Sequence, residues 1–182
     1  MERKEPSKFV SARAVALVGL MTASLTCGKL ALSFLPNIEI VTLLCGVYGY
    51  VFGIYGIVSA VLFVCIEPLI YGFGSWILTY LIYWPAVALV FMMLRRAGVK
   101  GRLVLTAVAV GMTVCFGVLS SVIETAFYLG INGSYFKNLL LYYTRGVVFY
   151  ALQVAINLVV FPTLFLFLSD KLERLGRMYK LV

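Results

Sequence analysis

Residues 11–39 read SARAVALVGLMTASLTCGKLALSFLPNIE, and this stretch decides the fold. From Ser11 to Leu35 its only charges are Arg13 and Lys29, and a helix of about 20 apolar residues crosses the hydrocarbon core of a bilayer. Ala12, Ala16, Gly19, Ala23 and Cys27 follow at spacings of four, three, four and four, which a helix turns into one narrow stripe. Small residues in a stripe let a second helix approach closely. Pro36, Asn37 and Glu39 then put polar chemistry at the far end. The charged start MERKEPSK is followed by no small-residue cleavage site, so the segment reads as a retained span and not a signal peptide.

Outward from this stretch the same pattern continues. Of 182 residues, 63% are hydrophobic and 12% charged, whereas soluble domains carry roughly 25% charged residues. The apolar runs show no alternation of the membrane-barrel kind. The expected class is an all-α integral membrane protein, a single domain over residues 1–182. The net charge of +8 does not point to nucleic acid, because the basic residues cluster: Arg3, Lys4, Lys8 and Arg13; Arg95, Arg96, Lys100 and Arg102; Lys171, Arg174, Arg177 and Lys180. Such clusters mark cytoplasmic ends and loops. Cys27, Cys45, Cys65 and Cys115 lie in apolar runs without metal-ligand spacing and read as packing residues. The absence of histidine removes the commonest metal ligand and general base; no metal and no cofactor is expected.

Six spans are expected, at approximately 9–35, 40–53, 57–71, 76–94, 103–129 and 139–168. The apolar region from Ile40 to Tyr71 is the ambiguous one, and the glycines of YGYVFGIYG mark a tight turn within it. Two short spans there put an even number of crossings between the basic clusters, so that both termini are cytoplasmic. Pro85 is expected to kink the fourth span. The sixth is long enough to tilt or to project into the cytoplasm.

Ionisable groups within spans are costly and are functional candidates by default. Glu67 on the third span and Glu124 on the fifth face the same outer depth. Trp76, Thr79, Tyr80 and Tyr83 cluster at the outer end of the fourth, and Gly146, Tyr150, Gln153 and Asn157 form a polar stripe on the sixth. Together they describe a cup opening outward. The plain alternatives are an interfacial aromatic belt for Trp76, Tyr80 and Tyr128, interhelical hydrogen bonding for Gln153 and Asn157, and neutralisation of a nearby carboxylate for Arg145. Lys29 either snorkels or pairs with Glu39 or Glu67. No GxxxxGK[ST] phosphate loop is present, and no inverted repeat is evident. The chain therefore reads as a subunit whose energy comes from partners.

The order of these features resembles the substrate-binding S components of energy-coupling factor vitamin transporters. The resemblance rests on six spans, the Ala12/Ala16 spacing, the GKLALSFLPNIE end of the first span, IEPLIYGFG before the fourth and the Asn157 region of the sixth. It implies a prokaryotic plasma-membrane protein that is not an enzyme and that binds a water-soluble vitamin or related micronutrient near the outer face. The site residues it suggests are Asn37, Glu39, Glu67, Tyr71, Trp76, Thr79, Tyr80, Glu124, Tyr128 and Asn157. It also implies docking of Ala12, Ala16, Gly19 and Ala23 on a transmembrane T component driven by two ATPase subunits, followed by toppling in the membrane to release cargo inside. Thiamine-binding relatives carry a Glu-Tyr pair where this chain has Thr79-Tyr80, which argues against thiamine. A lipid-directed membrane enzyme using Glu67 and Glu124 as acid and base, or a channel or assembly subunit, are the competing classes.

Overall fold

A computed structural model describes residues 11–35 and 38–179; Pro36 and Asn37 lie outside the described residues. The chain forms α1 (Ala12–Ala31), α2 (Val41–Phe52), α3 (Ile54–Tyr71), α4 (Trp76–Arg96), α5 (Arg102–Leu129) and α6 (Tyr135–Val160), then a π-helical turn (Phe161–Phe165) and α7 (Leu166–Met178). Five helical stretches, α1, α3, α4, α5 and the run from α6 through α7, are long and apolar enough to cross a membrane. The protein is thus an all-helical, multi-pass membrane protein.

The first helix begins where Ser11 Oγ accepts the Ala14 N–H at 3.2 Å, an N-cap. It ends at Ala31, four residues before the expected boundary at 35. From Leu32 onward the backbone N–H groups donate three residues back, Ser33 to Leu30 at 3.1 Å and Leu35 to Leu32 at 2.9 Å. The residue ahead of a proline is driven out of the helical region, and Pro36 follows directly.

Two helices do replace one between residues 40 and 71, but the break is a single residue. Gly53 turns the chain with φ +58°, a left-handed conformation open to glycine, so α3 starts at Ile54 and not at 57. Gly49 and Gly56 are not turn residues. A Cβ on Gly49 would lie 2.0 Å from the Ala88 carbonyl oxygen, and one on Gly56 would lie 2.4 Å from the Tyr48 carbonyl carbon. The missing side chains let α2 press against α4 and α3 at backbone distance. Consequently α2 is the centre of the bundle, with Val41, Leu43, Cys45, Val47, Tyr48, Tyr50 and Phe52 all buried. At 12 residues it is about 18 Å long.

The fourth helix runs unbroken through Pro85 to Arg96. The expected sixth span is not one helix to 168. It begins earlier, at Tyr135, and its register widens into the π-turn FPTLF before α7. Pro162 has no N–H to give and crowds the carbonyl four residues back, which the wider turn relieves.

Side chains fix which ends lie together. Tyr50 at the end of α2 donates its hydroxyl to Val99 O at 2.8 Å in the α4–α5 loop, and Arg95 donates to Glu173 of α7 at 2.9 Å. Glu173 also pairs with Arg177. Leu17 and Leu20 of α1 line a groove of about 300 Å³ with Leu172, Leu175 and Tyr179. The loop carrying Arg95 to Arg102, the charged tail and the first turns of α1 thus share one end of the bundle. Lys29 and Glu67 lie at the other.

Packing is uneven. α6 rests along α5 and buries only Asn157 of its own residues. On α1 the buried face is Ala14, Leu17, Met21, Thr22 and Leu25, so the stripe of Ala12, Ala16, Gly19, Ala23 and Cys27 points outward and is exposed. Gly19 has no neighbour within 4 Å of where its Cβ would be. The bundle does not spend this stripe on its own packing.

Candidate functional site

The site is built around Lys29, in the last turn of α1. Its ammonium donates to Glu67 Oε2 on α3, and Glu67 is completely buried. A carboxylate so far from water is costly unless it finds a partner, and the half-buried Lys29 side chain, 23% exposed, supplies it. Four aromatic rings close the space over the ammonium: Tyr71 at 4.5 Å, Tyr80 at 4.8 Å, Trp76 at 5.8 Å and Phe63 at 5.9 Å, nitrogen to ring centroid. Attraction to the negative ring faces adds to the ion pair. The helical repeat explains the assembly: Phe63, Glu67 and Tyr71 stand four apart on α3, as do Trp76, Tyr80 and Trp84 on α4.

The cage continues as an aromatic wall. Trp76 meets Tyr80 edge-on at 5.1 Å, Tyr80 meets Trp84 at 5.6 Å, and Phe116 of α5 packs on Tyr83 at 4.8 Å and Trp84 at 6.2 Å. Within it several buried polar atoms have no hydrogen-bond partner among the described residues, including Glu67 Oε1, Thr79 Oγ1 and Trp84 Nε1. Buried polar atoms are ordinarily paired. The wall thus carries an acceptor, a hydroxyl and a ring N–H whose hydrogen-bonding capacity is unused among the described residues.

Glu39 sits beside this cage, ahead of α2. Its two carboxylate oxygens accept from Thr42, Oε1 from the hydroxyl at 2.6 Å and Oε2 from the backbone N–H at 2.9 Å. A negative group is favoured at a helix start. Loss of hydration nonetheless raises its carboxyl above the ordinary range, with the Thr42 bonds and the Lys29 charge pulling it partly back.

The second wall belongs to α5 and α6. Ser120 and Glu124 stand four and eight residues beyond Phe116, so they continue the face of α5 that meets α4. Glu124 Oε1 accepts from Ser75 Oγ at 2.7 Å, which ties this wall to the loop before α4. A cavity of about 340 Å³ opens there, lined by Ser120, Glu124, Tyr142, Arg145, Gly146, Phe149 and Tyr150.

The structure thus brings Glu39, Glu67, Tyr71, Trp76, Thr79, Tyr80 and Glu124 to one end of the bundle. Two expected residues stand apart. Tyr128 is 60% exposed and lies edge-on to Phe127 at 5.2 Å. Asn157 is buried and donates to Thr113 Oγ1 at 2.8 Å, holding α6 to α5; Thr113 is 11 residues below Glu124 on α5, about 16 Å along the axis. Asn37 lies outside the described residues. Sequence reasoning left Lys29 unplaced between pairing and snorkelling and did not name Ser75, Trp84, Phe116 or Tyr142. The aromatic spacing of four along α4 was the signal for Trp84; nothing local announces Ser75. Among the described residues no three His, Cys, Asp or Glu side chains gather as a metal site. No protein family, curated protein or solved structure matches the chain.

Proposed function

We propose that this protein is the substrate-binding membrane subunit, the S component, of an energy-coupling factor importer in a prokaryotic plasma membrane. In this reading the chain crosses the membrane six times with both termini in the cytoplasm. It binds a small water-soluble vitamin or related micronutrient from outside and hands it inward after docking on a T component and two ATPase subunits. The observation that carries the reading is the Lys29/Glu67 pair, gathered with four rings at the end of the bundle opposite the Arg95–Glu173 contact. A buried pair of this kind is poor value as a stability device, and its unpartnered Oε1 and neighbouring polar atoms give it a reason to exist as a binding surface.

Two features support the subunit role. The exposed stripe of Ala12, Ala16, Gly19 and Ala23 offers a smooth helix face to another membrane helix. The short α2 is shielded by protein while its ends reach both faces of the bundle, Glu39 at one and the Tyr50 contact with Val99 at the other, which supports counting it as a crossing.

The test is mass spectrometry of small molecules released from gently purified protein, followed by thermal-shift titration of whatever is found. A molecule that binds the folded state raises its melting temperature by mass action. A released micronutrient whose re-addition stabilises the wild type, and does so more weakly in Glu67→Gln, supports the reading. Lipid turnover by the purified chain, or ion conductance in a planar bilayer, overturns it.

A further inference from the structure

Arg145 lies ten residues into α6, about 15 Å along its axis, inside a stretch apolar enough to span a membrane. An arginine at that depth normally has a counter-ion or a function. Among the described residues no carboxylate approaches it within 4.0 Å. Glu124 lines the same cavity but is bound to Ser75, and Glu67 is occupied by Lys29. Glycine at position 146 lets the Tyr150 ring lie against the backbone of α6 beside the cavity, since a Cβ there would meet that ring at 2.6 Å. Hydroxyl-bearing Ser120, Tyr142 and Tyr150 line it too.

The geometry points to Arg145 as an oxyanion-binding residue of this cavity, taking a carboxylate or a phosphate with the Tyr142 and Ser120 side chains alongside. The guanidinium fork matches either group through two parallel N–H bonds. Because Ser120 and Glu124 extend the α5 face that carries Phe116 against Tyr80 and Trp84, an anion here lies one to two helical turns above the aromatic wall. A planar ring bearing an acidic group fills both. The assignment of that acid to the cargo rests on the importer reading; the anion site itself does not.

The probes are benzoate and its neutral isostere benzamide, at equal ionic strength, with the full chain in a phosphate-free maltoside detergent. Benzoate at about a hundredfold excess over its half-saturating concentration is expected to raise the melting temperature by about 5–11 °C, and benzamide is expected to leave it unchanged. Arg145→Gln weakens the response about tenfold or more, and Arg145→Lys falls between because it keeps the charge and loses the fork. Arg145 is exposed, so neither change disturbs the core, and the comparison of benzoate with benzamide needs no variant. Equal responses to the two probes, or an Arg145→Gln response matching the wild type, overturn the proposal. Repeating the titration in phosphatidylglycerol bicelles separates the sources. If the lipid itself stabilises the wild type but not Arg145→Gln, and abolishes the benzoate response, the anion is a headgroup and the cargo assignment falls. A benzoate response that survives in lipid supports an acidic cargo. An Arg145-dependent response in a protein that releases no micronutrient leaves the anion site standing and removes the importer.

Discussion

Ser75 donates its hydroxyl to Glu124 across 2.7 Å, joining the loop ahead of α4 to the C-terminal half of α5. Ser75 is buried, and this bond is the polar link between the caged pair and the cavity lined by α6. Ser75→Ala leaves Glu124 short of a donor, and a hydrogen bond to a charged group is worth about 1.5–3 kcal/mol. We expect a lowered melting temperature of the detergent-solubilised protein and, for any ligand that is found, weaker binding; unchanged affinity would separate Glu124 from the site.

The Lys29/Glu67 pair gives a sharper test through its asymmetry. Lys29→Met strands a carboxylate that is completely buried, and breaking one side of such a pair costs about 3–5 kcal/mol. The double variant Lys29→Met/Glu67→Gln removes the stranded charge and should recover most of that loss. Thermal unfolding of the two singles and the double forms a complete cycle. A double variant as unstable as the sum of the singles would falsify the coupling.

Glu39 supplies the pH dependence. Its carboxyl is raised by burial, so between the ordinary and the raised value the folded state holds more protons than the unfolded state. Stability then falls as pH climbs through that window, and above it the charged carboxylate is a standing cost. Glu39→Gln keeps an oxygen for the Thr42 N–H and removes the titration. The variant should lose this downward slope; a slope in the variant as steep as the wild type's contradicts the assignment.

Two glycines on different helices predict opposite outcomes for the same substitution. Gly49→Ala drives a methyl to 2.0 Å from Ala88 O, a backbone atom that cannot move aside, so α2 and α4 must part. Overpacking costs typically 1–3 kcal/mol, and here we expect the upper end or failure to fold. Gly19→Ala meets nothing within 4 Å and is expected to leave the isolated chain unchanged. On the importer reading proposed above, a bulky residue there, Gly19→Leu, should still fold and bind small molecules but lose uptake in cells carrying the proposed partner subunits.

Asn157 tests the boundary of the site. Removing it by Asn157→Ala leaves Thr113 still donating to Ala109 O at 2.9 Å, so no orphan hydroxyl results. Interhelical hydrogen bonds in membranes average about 0.6 kcal/mol, and a loss of that size without change in ligand affinity is expected from thermal-shift titration.

Helical class, the approximate placing of most helices and the polar cluster at one end of the bundle were legible because each is written locally. Apolar run length, basic clusters and residues spaced four apart need no partner to be read. The turn at Gly53 was legible only as a region, since three neighbouring glycines serve two purposes: one bends the chain and two admit a neighbouring backbone. The end of α6 was hidden because Pro162 sits in an apolar run where a kinked helix and a π-turn look alike. Lys29 resisted placement for a different reason. Its partner is 38 residues away and two of its rings lie beyond the next loop, so only the packing of three helices reveals the cage.

The close seating of Gly49 on Ala88 also bears on how this protein can change over generations. Positions 49 and 56 admit nothing larger than hydrogen without parting the helices around them, so the scaffold holding Lys29 and Glu67 is frozen against drift. α6 touches that scaffold lightly, and Tyr142, Arg145 and Phe149 can be exchanged without disturbing it. If the protein is the importer subunit proposed above, new cargo preferences should therefore arise by substitution on one helix, with the ion pair inherited intact.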